Sequence, residues 1–177
     1  SNEIVGGIRI HKSTEKRALP IEDAIFPMDS RISELIKFDR HHGCGEACGL
    51  WNSRLFFGKG LSPLLSRTAV AYSHFVGINS LFCLAANYTT SIAQKIGFNT
   101  VREIGESGQF VYPIPSITAH IMRVPDVMTL EYADLKEKYR IQSLRRSPHQ
   151  VFIESSQNRN IVVEYDVKIL EPTLLIG

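Results

Sequence analysis

Apolar and polar positions alternate over Val5-Gly6-Gly7-Ile8-Arg9-Ile10, which predicts a strand at the start of the chain. A polar connector runs over 11–20, and 21–27 is a short apolar segment stopped by Pro27. Ile32, Leu35, Ile36 and Phe38 are spaced for one face of a helix, after the capping types Asp29 and Ser30. Residues 41–45 read as a glycine-containing break and 46–52 as a strand interrupted at 57–62. Leu61, Leu64, Leu65, Ala69, Tyr72, Phe75 and Val76 then recur every three or four residues, the pattern of an amphipathic helix. Its predicted N-cap is Ser62, with Pro63 at the first helical position and Gly77 at the end.

Residues 79–86 read as a buried strand, 88–95 as a second helix closed by Gly97, and 98–104 and 109–114 as two more strands. Beyond them 128–144 has helical spacing, 150–153 and 160–169 read as strands, and 155–160 as a polar loop. Helices and strands intermixed in this order predict a mixed α/β or α+β domain over 1–177, with 125–177 as an extension.

Composition narrows the class. With 177 residues, 44% hydrophobic and 21% charged, the chain is neither disordered nor collagen-like and suits one domain. A net charge of +2 gives no basis for nucleic-acid binding as a property of the whole chain. Three cysteines, Cys44, Cys48 and Cys83, read as reduced thiols, so a cytoplasmic protein is expected. The longest mainly apolar run, 81–86, is too short to span a bilayer. The strand pattern begins almost at once, so further residues upstream are expected.

The sharpest local feature is the turn at Phe57-Gly58-Lys59-Gly60-Leu61-Ser62. Glycines allow a ligand close to the backbone, and the helix behind them offers unpaired N–H groups and a positive dipole end. Such a turn suits an anion of the pyrophosphate kind. It lacks the spacing of a phosphate loop ending in Gly-Lys-Ser/Thr and the third glycine of a dinucleotide fingerprint. A helix start with no ligand is the plain alternative.

Strand, glycine turn, helix, strand, helix, Gly-Phe, strand resembles the second half of the GNAT N-acyltransferase fold, a mixed, mostly antiparallel sheet flanked by helices. The turn stands where that family has Arg/Gln-x-x-Gly-x-Gly/Ala, with Phe57 for the first polar residue and Ser62 for the last small one; Ile96-Gly97-Phe98 matches its Gly-Phe. The first third, Gly6-Gly7-Ile8-Arg9-Ile10 and then Leu19-Pro20-Ile21-Glu22-Asp23-Ala24-Ile25-Phe26-Pro27, resembles the N-acyl amino acid synthases and acyl-homoserine-lactone synthases. Gly49 stands where the lactone synthases have an Arg three residues after their glutamate, which favours the amino acid synthase side.

The resemblance implies an acyl-CoA or acyl carrier protein donor, a small amine acceptor such as an amino acid, and no metal. It implies Glu46 as the base or amine-orienting group, Arg9 in the substrate pocket, and the donor against Leu50, Trp51, Asn52, the turn at 57–62 and Asn87. Many GNAT enzymes place a Tyr four residues before the Gly of Gly-Phe; here that position is Ala93, which points to a dispensable acid, a different donor or an inactive site. The alternatives carried forward are an acetyl-CoA-dependent enzyme, a binding module without catalysis, and an unrelated α/β protein.

Two further groups have plain readings. His41, His42, Cys44 and Cys48 are metal-ligand types at irregular spacing, and the stretch reads as a flexible lip beside the site. Lys136, Lys138, Arg140, Arg145 and Arg146 read as a solvated helix face, with docking of an acidic carrier protein as the alternative.

Overall fold

A computed structural model describes residues 3–156 and 159–168. The predicted opening strand is β1 (Gly6–Lys12), and the apolar segment after it coils into a short helix, α1 (Pro20–Ile25), with Pro20 in its first turn. The next helix is α2 (Arg31–Arg40), which buries Ile32 and Ile36 and leaves Phe38 exposed. Strand β2 (Cys44–Asn52) starts two residues earlier than its sequence pattern suggests. Cys44, Gly45 and Glu46 are buried, so this stretch is a core strand and not a flexible lip.

A 3-10 turn at Arg54–Phe56 leads to α3 (Leu61–Ser73), and a second at His74–Val76 closes on Gly77 at φ 69°. Then come β3 (Ser80–Ala86), a 3-10 turn at Asn87–Thr89 and α4 (Thr90–Lys95). Gly97 at φ 106° ends α4, its N–H donating to Gln94 O while Phe98 N–H reaches Ala93 O, the paired bonds of a Schellman stop. The strand expected over 98–104 shrinks to β4 (Asn99–Thr100), and that over 109–114 to β5 (Gln109–Val111).

The strand β6 (Thr118–Val124) has no counterpart in the sequence reading. It is central, and its polar/apolar alternation over Thr118, Ala119, His120 and Ile121 changes phase at the Ile121-Met122 doublet. The helix expected over 128–144 starts later, as α5 (Leu135–Arg146). A hairpin of β7 (His149–Ser156) and β8 (Arg159–Asp166) follows; Ser155 pairs with Asn160 and Ser156 with Arg159, so these four residues of the expected polar loop at 155–160 are strand, and 157–158 lie outside the described residues. Of the strand expected over 160–169, Ile169 lies outside the described residues.

The main sheet runs β1-β2-β3-β6-β4, with β5 also on β6. Only β2 and β3 are parallel, with α3 between them in the chain, so the sheet is mixed and mostly antiparallel as the resemblance implies. One apolar cluster packs α3, α4 and α5 on one face, around Val70, Leu81, Met122 and Ile141. The other packs α1 and α2 on the opposite face, around Ile21, Ile36, Phe82 and Ile121.

The extension is fastened by charge as well as by packing. Arg67 of α3 is 3% exposed and donates to both Glu137 carboxylate oxygens, at 2.7 and 2.9 Å, to Glu154 and to the Tyr165 hydroxyl. A buried guanidinium is tolerable only with its counter-charges, and these come from α5, β7 and β8. Arg140 lies 3.7 Å from the centre of the Phe152 ring, and Arg145 donates to the carbonyls of Val70 and Val127. The basic run of α5 is therefore not one solvated face: two of its arginines hold the extension together.

Candidate active site

Strands β2 and β3 pair over only three residues, Cys44 with Ser80, Gly45 with Leu81 and Glu46 with Phe82. Past Glu46 they part. Strand β2 stays on β1 as far as Asn52, and β3 stays on β6 as far as Ala86, so the sheet forks without losing its outer pairs. The register between β1 and β2 slips between Gly7 and Arg9, opposite Gly49 at φ 61°, which is the mark of a bulge that bends β2 away.

A cavity of about 300 Å³ occupies the fork on the α3/α4 face. Ala47, Cys48 and Leu50 line one arm, Cys83 and Ala85 the other, and Ile92 of α4 covers it. Ala93 lines the cavity too, so the position where many GNAT enzymes carry a Tyr is here part of an apolar wall. Leu50 is the one predicted donor-binding residue of β2 that lines it. Trp51 instead lies against β1, where a Cβ on Gly7 would meet its indole nitrogen at 2.8 Å. Asn87 does not line the cavity, although its neighbours Ala86 and Tyr88 do; it is exposed and accepts the Tyr88 N–H with its side-chain oxygen.

The glycine turn stands beside this fork. Gly58 and Gly60 have φ of 71° and 84°, the left-handed region, which is why glycine is required at both. Helix α3 begins at Leu61 with Gly60 as its N-cap. Ser62 is therefore not the cap: its hydroxyl accepts Asn52 Nδ2 at 2.7 Å and ties the helix to the end of β2. Leu61 packs on β1 near Gly6, Lys59 Nζ sits 5.1 Å from the Phe56 ring centre, and Phe57 is exposed. Among the described residues the N–H groups of Gly60, Leu61 and Ser62 find no acceptor. They are three free donors at the positive end of a 13-residue helix.

Glu46 stands at the point of the fork. It is 2% exposed, and its Oε2 accepts the Ile21 N–H at 2.8 Å, so its carboxylate lies on the α1 side of the sheet. Burial raises its pKa to about 7; the Ile21 hydrogen bond and the charge of Arg9 oppose the rise, while Glu22 and Asp23 add to it. Its charge in turn acts on Cys48 and Cys83, whose thiols burial already pushes up. Neither cysteine is an activated nucleophile.

Arg9 reaches across from β1. Its guanidinium covers Gly49, where a Cβ would meet Nε at 2.9 Å and Nη2 at 3.1 Å. The missing side chain at 49 is thus the space the Arg9 head occupies. Among the described residues no three of His, Cys, Asp and Glu converge on a metal-sized site, and no helix is long and apolar enough to cross a membrane.

No family model matches the chain, and no curated protein does. Among solved structures it is similar to FeeM, an N-acyl amino acid synthase from uncultured soil microbes, with a TM-score of 0.58 at 12% identity over 78% of this chain and 71% of that one. A weaker likeness, TM-score 0.48 at 10% identity, is to BjaI, a CoA-dependent acyl-homoserine lactone synthase solved with SAM and isopentyl-CoA; it covers 82% of this chain and 61% of that one. Another, TM-score 0.36 at 13% identity, is to a Bacillus subtilis acetyltransferase in complex with CoA, over 67% of this chain and 97% of that one. The likeness to the synthase shows a shared fold, so the GNAT-like α+β architecture read from the sequence holds.

Proposed function

We infer that the chain is an N-acyltransferase that moves an acyl group from a coenzyme A or carrier-protein thioester to the amine of an amino acid or a similar small metabolite. The observation that carries this reading is the fork at Glu46: a cavity between two parting strands, three free N–H groups at one side and a buried carboxylate at its point. Those N–H groups, of Gly60, Leu61 and Ser62, suit the donor's phosphates as an anion cradle. The cavity suits an extended amide-bearing arm, because the inner edge of β2 past Glu46 has lost its β3 partner and offers backbone groups.

Chemistry at the fork needs few parts. The acceptor nitrogen forms a bond to the thioester carbonyl carbon, the carbon–sulfur bond breaks, and the sulfur leaves as a thiolate. Glu46, whose pKa burial raises to about 7, takes in its ionised form the proton the amine gives up, directly or through water. Backbone N–H groups on the parted strands stabilise the oxyanion. Arg9, a cation close enough to act on Glu46, orients an acceptor that carries a carboxylate. Held together, donor and acceptor react without a covalent enzyme intermediate.

The test is thiol release from acyl-CoA donors of two to sixteen carbons with a pool of amino acids, with the product read by mass spectrometry. An N-acyl amino acid supports the reading. Turnover confined to acetyl-CoA would make the chain a small-chain enzyme. Ala93 in the cavity wall favours a second reading, a thioester-binding module without catalysis, which tight donor binding with no product from any donor would establish.

A further inference from the structure

A second recess opens on the other side of the α3 N-terminus. It measures about 280 Å³ and lies between Gly60, Pro63 and Leu64 of α3, Lys95 at the end of α4, and Lys136 in the first turn of α5. It exists because the extension packs across α3, and the Arg67 network forms part of its wall.

The charges around it are unequally committed. Glu137 and Glu154 are consumed by Arg67, with Arg140 also near Glu154. Lys95 and Lys136 have no carboxylate within ion-pair distance among the described residues. The lining carries three cations, Arg67, Lys95 and Lys136, and three carboxylates, Asp134, Glu137 and Glu154; Arg67 engages two of the carboxylates, which leaves the two lysines as its cations without an ion-pair partner among the described residues. Pro63 and Leu64 add an apolar surface next to Gly60, a member of the anion cradle.

Two unpaired lysines and an apolar wall, adjoining a cradle for a diphosphate, match a phosphorylated nucleoside. We propose that this recess takes the phosphorylated nucleoside end of the donor, which makes the donor a free coenzyme A thioester and not one carried on a protein. The inference rests on the acyltransferase reading above and gives the extension a role in it. Helix α5 and the hairpin supply the outer wall of the donor site, and a carrier-borne phosphopantetheine, with no nucleoside, would leave that wall unused.

The experiment is calorimetric titration of the whole chain with coenzyme A, 3′-dephospho-coenzyme A and 4′-phosphopantetheine at low salt. Coenzyme A is expected to bind at least tenfold more tightly than the dephospho form, and the gap to fall within twofold in the Lys95→Gln, Lys136→Gln double variant. The dephospho form itself should bind both proteins alike, which also shows that the variant is folded. Equal affinity of the native chain for all three ligands, or a gap that survives the double variant, overturns the inference while leaving the acyltransferase reading standing. If none of the three binds, the donor reading fails with it.

Discussion

Glu46 Oε2 accepts the Ile21 amide at 2.8 Å, and Glu46 is also the last residue of β2 that pairs with β3. One side chain thus marks where the sheet forks and holds α1 against it. The same bond keeps the carboxylate ionisable in a buried place, because burial alone would push its pKa beyond about 7.

Replacing Glu46 with Gln should lower turnover by about a hundredfold or more, the range for loss of a general base. Donor affinity should change little. The wild-type rate should climb with pH through about 7 as the carboxylate ionises, and the variant should lose that limb. Rate–pH profiles of both proteins check this; a variant that keeps the limb would remove Glu46 from the chemistry.

The same substitution has a stability signature of opposite sense. The folded-state pKa of Glu46 is raised from 4.5 to about 7, so the folded chain holds the proton more tightly than the unfolded one. The resulting stability is fully present below about 4.5 and is lost as pH rises to 7. It amounts to about 3 kcal/mol at most, on the order of 1.4 kcal/mol per unit of pKa. Gln keeps an acceptor for the Ile21 N–H and does not titrate. Thermal melts should therefore show the variant gaining on the wild type between pH 5 and pH 8.

Gly60→Ala should cost about 1–2 kcal/mol, because an L side chain is strained at φ 84°. It should also weaken donor binding severalfold by turning the N–H groups of Gly60 and Leu61 out of the cradle. Calorimetry with coenzyme A reads the second effect, and unchanged affinity would mean the turn does not hold the phosphates.

Gly49→Ala forces the Arg9 guanidinium off the strand, since the new Cβ would fall 2.9 Å from Nε. The expected result is a raised KM for acceptors bearing a carboxylate, with donor affinity unchanged. An equal rise for acceptors lacking a carboxylate would assign Arg9 a structural role.

Arg67→Met should destabilise by about 3–5 kcal/mol, the usual cost of stranding buried charges. For a chain of this size that is a fall in Tm of roughly 10 °C. Adding Glu137→Gln and Glu154→Gln should recover part of it. A loss that these changes do not mend would mean that packing, not charge, fastens the extension.

The fork and the turn were legible to different degrees. Gly58 and Gly60 could be read because a positive φ leaves few choices of residue, and the glycine stop at Gly97 for the same reason. Ser62 was misread as a cap because its partner, Asn52, is ten residues away on another element. Strand β6 is hard to read because its alternation lasts only from Thr118 to Ile121 before the Ile121-Met122 doublet shifts the phase. Arg67 gave no signal at all: it falls among polar positions of an amphipathic helix, and its partners Glu137 and Glu154 lie 70 and 87 residues further along. The space that Gly49 leaves for Arg9 likewise depends on the slip between β1 and β2, which no local pattern encodes.

The most direct measurement is an amide nitrogen–proton correlation spectrum recorded as coenzyme A is added. If the main chain from Gly58 to Ser62 grips the donor's phosphates, the amides of Gly60, Leu61 and Ser62 shift downfield together and saturate at one affinity, with Ala47 and Cys48 following. Shifts that spare those three amides while others move, or no shifts at millimolar ligand, would contradict the account.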